Sequence, residues 1–450
     1  MGRRNSGIDL RLHDFSGMQG YLGRMREELL HFVWKHRKLP SAGLNTTSGQ
    51  ALKILHAGVH NSYSGPDFFN ARLEIGGQLW AGNVEIHVKA SDWYLHDHEN
   101  DINYGNVILH VVWEEDIPVF HRDQTHIPAL ELKTYIPQPL LVSYRNLFRK
   151  NRYRFINCEN DLRTVEPFLI SQWLERLYIE RLENRSKEIE TLLEATKNDW
   201  EKVLFVQLLK NFGLNVNGEA FHRLGMAIDF AIIRKIGRDT TRLESLLFGQ
   251  SGLLEATVPE DSYFRALQRE YQYLRSRFSL KAAPLTKPEF ARLRPANFPT
   301  LRLSQFAVLY SAHGNLFSRV TAARDLKEYY DIFSHSATTY WNTHYAFGRT
   351  SRCSPKKISR QFIHLLVINT ILPVNFCYAR HQGRSAGEQI LRILAGIPAE
   401  KNRITERFAG LGLRSSDAID SQALLQLFGE YCTKNRCLHC AVGCRLLDGK

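Results

Sequence analysis

The stretch FFNARLEIGGQLWAGNVEIHVKA, residues 68–90, constrains the fold of this chain more than any other. Apolar and polar residues alternate on both sides of Gly76-Gly77. A period of two is the mark of strands with one buried face. A Gly-Gly pair supplies the positive φ angles that a tight hairpin turn needs. The pattern predicts a β-hairpin. ALKILHAG (51–58) upstream is short and apolar, and NVILHVVWE (106–114) downstream is almost continuously apolar. The latter is the signature of a strand covered on both faces.

Residues 20–37 read as an amphipathic helix, with Tyr21, Met25, Leu29, Phe32 and Val33 at helical spacing. Leu39-Pro40 closes it, because proline disfavours helix in the residue before it. From about residue 165 helical patterns take over. In 168–194 the apolar stripe is Ile170, Trp173, Leu174, Leu177, Ile189, Leu192 and Leu193. Segments 200–213, 218–237, 262–278, 303–330 and 357–371 also read as helices, and the prolines between 284 and 299 predict an irregular loop. The predicted class is α+β or α/β: an N-terminal mixed sheet with flanking helices, then a mostly α-helical domain. The divisions are an N-terminal arm (1–19), an α/β domain (20–140), a basic-aromatic linker (141–165), a helical domain (166–430) and a Cys-rich segment (431–450).

At 450 residues the chain is too long for one ordinary core, and 44% hydrophobic with 23% charged residues suits globular domains. A net charge of +13 favours a polyanionic partner, nucleic acid before an anionic membrane surface. The competing reading is a basic solvated surface. No apolar run approaches the roughly 20 residues of a spanning helix, and the basic N-terminus has no apolar h-region. The odd count of seven cysteines does not fit a secreted disulfide framework. A soluble cytoplasmic protein with no membrane partner is expected.

The chemistry concentrates in Gly65-Pro66-Asp67, the hairpin, and Val84-Glu85-Ile86-His87-Val88-Lys89. On a strand Glu85, His87 and Lys89 share one face, and Val84, Ile86 and Val88 share the other. The hairpin brings Asp67 back beside Glu85. Two adjacent carboxylates without a cation repel, and a divalent cation removes the conflict. A few oxygen ligands suit Mg²⁺ or Mn²⁺. Lys89 or His87 can then orient or deprotonate the attacking water, with the metal stabilising charge on a phosphate. His96 and His98 flank Asp97, and His110 lies on the next strand; these imidazoles extend the candidate site. Tyr104 reads as packing or as a phosphate contact. Each motif alone also fits a turn or a solvated strand face.

Pro-Asp on one strand followed by Glu-x-Lys on the next resembles the PD-(D/E)XK nuclease superfamily over about residues 20–135. The resemblance implies a restriction-endonuclease-like αβββαβ core and Mg²⁺-dependent phosphodiester cleavage, with Asp67 and Glu85 as metal ligands. His87 stands where the usual Lys is expected, and Lys89, two residues on, is the substitute. Glu27 or Glu28 on the first helix supplies an accessory acid. NSYSGPDFFNARLEIGG, W-x-G-N-V-E-I-H, SDWYLHDH and YGNVILHVV are also similar to a bacterial domain-of-unknown-function family, number 2851, across most of the chain.

Two further segments carry candidates. In 143–155, Arg145, Arg149, Lys150, Arg152 and Arg154 interleave with Tyr144, Phe148, Tyr153 and Phe155, as in a groove where cations hold phosphates and rings stack on bases. Cys432, Cys437, Cys440 and Cys444 have C-x₄-C-x₂-C-x₃-C spacing, with His439 inside. They suit Zn²⁺ or an iron–sulfur cluster, with Cys353 or Cys377 as replacements for one ligand. Some members of the resembled superfamily carry such a cluster. The expected function is metal-dependent hydrolysis of DNA or RNA, by an endo- or exonuclease. The alternatives are a non-catalytic nucleic-acid-binding protein on a degenerate nuclease fold, or a structural protein that binds an acidic partner.

Overall fold

The computed structural model describes residues 26–149, 154–255, 261–281 and 287–448. The predicted arm, Tyr21 and Met25 lie outside these residues. The chain divides into two compact units. One comprises residues up to Ile170 and those from Glu430 onward; the other is Ser171–Gly429.

The first unit opens with helix α1, Glu27–Lys35, whose Leu29, Leu30, Phe32, Val33 and Trp34 are buried. A seven-stranded mixed sheet follows: β1 (Leu44–Asn45), β2 (Ala51–His56), β3 (Val59–His60), β4 (Phe68–Ile75), β5 (Gln78–Lys89), β6 (Val107–Glu114) and β7 (Ala129–Glu131). The order is β1-β2-β4-β5-β6-β7, with β3 also paired to β4. β4 and β5 form the predicted antiparallel hairpin, turning at Gly76 and Gly77 with φ of 59° and 85°. β5, β6 and β7 pair in parallel. The crossover from β5 to β6 carries only the short helix α2, Asp92–Leu95, and one 3₁₀ turn.

Two cores flank this sheet. The larger gathers Val84, Ile86, Leu109 and Val111 with the apolar face of α1. The smaller gathers Trp93, Tyr104, Val107, Val112, Val119 and Ile127. β6 is therefore buried on both faces, as its unbroken apolar run predicts. Helix α3, Gln138–Phe148, and the C-terminal helix Ala441–Leu447 complete the larger core.

Helix α4, Pro167–Ala195, runs into the second unit, which is mostly helical. Trp200–Phe212 and Pro299–Ala312 are buried almost all round and form its centre. Several segments that read as single helices are broken. Asp229 caps a new helix inside 218–237, and Asn315 and Asp325 do so inside 303–330. Each side chain accepts a hydrogen bond from a backbone N–H of the following turn, so local capping ends the apolar periodicity. A small two-stranded sheet, His344–Ala346 with Arg349–Thr350, was not legible in the pattern. One helix among the described residues, Arg360–His381, is long and apolar enough to cross a membrane, and 56% of its apolar window is buried inside the protein.

Candidate metal centre

The register between β4 and β5 decides what shares a face. From Ile75↔Gln78 to Ala71↔Gly82 the pairing is regular, and odd residues of β4 face the larger core. A bulge then shifts it, so that Phe68 pairs with Val84. Asn70 makes this shift with φ of 58°, and its N–H donates to Asn83 Oδ1 at 3.3 Å. One added residue flips every side chain beyond it to the other face. Phe68 consequently enters the core, and Asp67 comes opposite Glu85 on the polar face. The two acids are locked reciprocally. Asp67 N–H donates to Glu85 Oε2, and Ile86 N–H donates to Asp67 Oδ2, both at 3.0 Å.

Helix α1 adds two residues one turn apart, Glu27 and His31. His31 Nε2 lies 3.2 Å from Asp67 Oδ2 but makes no aligned hydrogen bond. The ligand atoms of Glu27, His31 and Asp67 all lie within 4.8 Å of one another. Those of His87, His96 and His98 form a second such group. Glu85 stands between the groups. Its Oε1 is 3.4 Å from His98 Nε2 and 3.6 Å from His87 Nε2. Behind it, parallel pairing of Glu85 with His110 puts that imidazole on the same face. His87 Nδ1 meets His110 Nε2 at 2.8 Å, and His87 Nε2 meets His96 Nδ1 at 3.2 Å. Tyr104 stacks on His98 with ring centres 3.8 Å apart, and Trp93 packs against His98 and His110. Tyr104 thus belongs to the wall of the site.

Burial sets the protonation states. It drives His87 down to about 2, helped by His110, His98 and His96, and drives His110 down to about 3. Both imidazoles are neutral, the form that binds metals. Burial, then Asp67 and Glu85, pushes the Glu27 carboxyl up to about 7. Burial and Asp67 also raise Glu85 strongly. For His31, burial opposes the cation, but Asp67, Glu27 and Glu85 outweigh it and raise its pKa. The site holds three crowded carboxyls and several neutral imidazoles. That donor set fits a divalent cation, and mixed oxygen and imidazole donors suit Mn²⁺ or a similar transition ion better than Mg²⁺ alone.

Other candidates fall elsewhere. Lys89 is exposed at the end of β5, where its N–H donates to Asp92 Oδ2 at 3.1 Å. Burial works to raise the Asp116 carboxyl, but hydrogen bonds from Ser91 and the charge of Lys89 hold it below its ordinary value. Lys89 is in neither ligand group. Glu28 is exposed, so Glu27 is the helix acid that faces Asp67. Lys150, Arg152 and Tyr153 lie outside the described residues. Arg145 and Arg149 are exposed at the end of α3, and Arg154 donates to Asn157 O at 3.3 Å. Tyr144 and Phe148 pack on each other against the larger core instead of standing open to bases. Cys353 and Cys377 belong to the second unit. His31 was missed from sequence, although Glu27-x₃-His31 is a one-turn helical pair that places two ligand types on one face.

No curated protein and no solved structure matches the chain. Residues 27–403 match the family "Protein of unknown function (DUF2851)", a span that takes in α1, the whole sheet and most of the helical unit. The chain belongs to the DUF2851 family.

Proposed function

We propose that this protein is a metal-dependent phosphodiesterase acting on nucleic acid. The observation that carries the reading is the Asn70 bulge, which sets Asp67 opposite Glu85 and within reach of Glu27 and His31 on α1. A helix acid close to one strand acid, with a second strand acid opposite that one, is the arrangement the PD-(D/E)XK resemblance implies. The restriction-endonuclease-like core is part of this proposal, although the four-residue α2 is a short crossover for it. The basic excess of the chain favours a polyanionic substrate.

Glu27, His31, Asp67 and Glu85 would hold Mg²⁺ or Mn²⁺, and His96 and His98 with His87 supply a second, imidazole-rich position. Bound metal would polarise the phosphate and lower the pKa of a water. The chain's own residues do the rest. Glu85 orients both ligand groups through its two oxygens. Where that second position holds no ion, exposed His96 or half-buried His98, rather than buried His87, accepts the proton of the attacking water. His110 fixes the His87 ring through its 2.8 Å contact. Among the described residues no lysine joins either ligand group, so a bound cation would supply the charge stabilisation.

Labelled single- and double-stranded DNA and RNA incubated with Mg²⁺ or Mn²⁺ test this. Cleavage should require metal and fall by roughly 10³-fold or more in Asp67→Ala and Glu85→Ala, the scale of losing several kcal/mol of metal-borne stabilisation. Salt-sensitive binding without cleavage, unchanged in both variants, would transfer the reading to a nucleic-acid-binding protein on a retired nuclease core.

A further inference from the structure

The short crossover between β5 and β6 brings three imidazoles to one point. His87 comes from β5, and His96 and His98 follow α2. The N–H of His96 donates to Asp92 O at 3.0 Å and that of His98 to Trp93 O at 3.1 Å, so both are tied to the helix. Asp97 between them holds φ of 59°, a left-handed conformation that residues with a Cβ rarely adopt. Asn100 Nδ2 supports it by donating to Asp97 Oδ1 at 2.6 Å. With the chain turned in this way, His96 and His98 both reach His87, and the ring centres of the three stand 5.1, 5.3 and 5.4 Å apart.

The spacing of their nitrogens suits one ion. His87 Nε2 and His96 Nδ1 are 3.2 Å apart, and one nitrogen from each of the three rings lies within 4.8 Å of the other two. Neighbouring ligands round a tetrahedral Zn²⁺ with bonds of about 2.0–2.1 Å stand about 3.3–3.4 Å apart. Small side-chain movements therefore close the group on such an ion. Glu85 Oε1, 3.4 Å from His98 Nε2 and 3.6 Å from His87 Nε2, borders the place that remains. Behind the group, His87 Nδ1 meets His110 Nε2 at 2.8 Å. With its Nδ1–H donated to His110, His87 presents a bare Nε2 to the group. His96 is exposed and gives an ion its way in.

The two ligand groups differ in chemistry. Glu27, His31 and Asp67 offer two carboxyls and one imidazole, whereas His87, His96 and His98 offer imidazoles alone. Carboxylate oxygens suit Mg²⁺ and Mn²⁺, and neutral imidazoles suit Zn²⁺. We propose that His87, His96 and His98 bind one Zn²⁺, separate from any ion at the carboxylate group, and that this ion fastens the β5–β6 crossover to the sheet. Each ring gives one nitrogen lone pair and keeps its other N–H. The fourth place falls to a water held by Glu85 Oε1. Binding across the crossover ties its loop to β5, so the binding energy becomes local folding energy. A hydrogen bond between neutral His87 and His96 is the competing account of their contact. The proposal fixes the identity and the role of the ion at the imidazole-rich position, and it does not require nucleic acid as substrate.

Untagged full-length protein, stripped with chelator and titrated with Zn²⁺ alone, should take up one equivalent that excess Mg²⁺ does not displace. Co²⁺ in its place should give the intense visible absorption of a four-coordinate ion. His96→Ala and His98→Ala should each weaken Zn²⁺ uptake by roughly tenfold or more, and Glu27→Gln should leave it unchanged. His96 is exposed, so its truncation tests the site without opening a core. In the unmutated protein Zn²⁺ should slow backbone hydrogen exchange across residues 91–105. No nucleic acid enters these measurements, so failure of the nuclease reading and failure of this one are read separately. Stripped protein that takes up no Zn²⁺, uptake undiminished in both histidine variants, an equal loss in Glu27→Gln, or exchange in 91–105 that ignores Zn²⁺ would each overturn it.

Discussion

Two buried glutamates teach what the sheet-bearing unit is built for. Glu244, in the helical unit, is 1% exposed. Its carboxylate accepts from Tyr263 Oη at 2.5 Å, Thr338 Oγ1 at 3.1 Å and Trp341 Nε1 at 3.3 Å. Those donors are neutral hydroxyl and indole groups. Glu85 is 5% exposed, yet it faces Asp67 and Glu27 and accepts one backbone hydrogen bond. A carboxylate placed to stabilise a core is given donors; one placed beside other carboxylates costs stability unless a cation joins them. The first is structural, and the second marks the candidate metal centre.

The comparison breaks or sharpens on opposite signs. Glu244→Gln should destabilise the protein by roughly 2 kcal/mol, because the amide returns fewer acceptors to three fixed donors. Above the raised pKa of Glu85, about 9, Glu85→Gln should raise the stability of metal-free protein by about 1 kcal/mol, because it removes one charge from a crowded group. Denaturant unfolding of both variants decides the matter, and a shared sign would end the distinction.

A smaller effect comes from pH. Glu27 has its folded pKa raised from 4.5 to about 7. Its contribution to stability is complete below 4.5 and is lost as pH rises through about 7. Metal-free protein should therefore lose on the order of 1 kcal/mol between about pH 5 and about pH 8, after allowance for the partial exposure of Glu27. Added Mn²⁺ should abolish that loss, since a cation makes the ionised form welcome. Burial raises Glu244 too, but its share should not respond to Mn²⁺. Melting midpoints across pH, with chelator or with Mn²⁺, make the test.

The smallest effect lies at the bulge. Asn70→Val should cost about 1–2 kcal/mol, because a β-branched residue resists positive φ, while Asn70→Gly should be nearly neutral. Deleting Asn70 removes the register shift and should abolish Mn²⁺-linked stabilisation even where the chain still folds. Retained metal linkage in the deletion would show that the bulge does not set the site.

Much of the sheet was legible because strand periodicity is local. Gly76-Gly77, the alternation around it and the apolar run of β6 each act through neighbours along the chain. Asp67 and Glu85 were legible for the same reason, being carried on the two arms of one hairpin. The helix breaks at Asp229, Asn315 and Asp325 were not, because polar caps interrupt patterns that hydrophobicity alone continues. Nor were the partners that come from elsewhere: His31 from α1, and the turn after α3 whose Asn157 reaches Cys437.

The sequence by itself determined a mixed sheet followed by helices, a hairpin bearing two acids, and a basic charge suited to polyanions. Only the tertiary structure decided that His87 is a buried neutral imidazole, that Lys89 stands exposed outside both ligand groups, and that Cys444 turns to Leu438. Periodicity states which face a residue occupies. What covers that face depends on segments distant in sequence, and burial, protonation and ligand choice all follow from the cover.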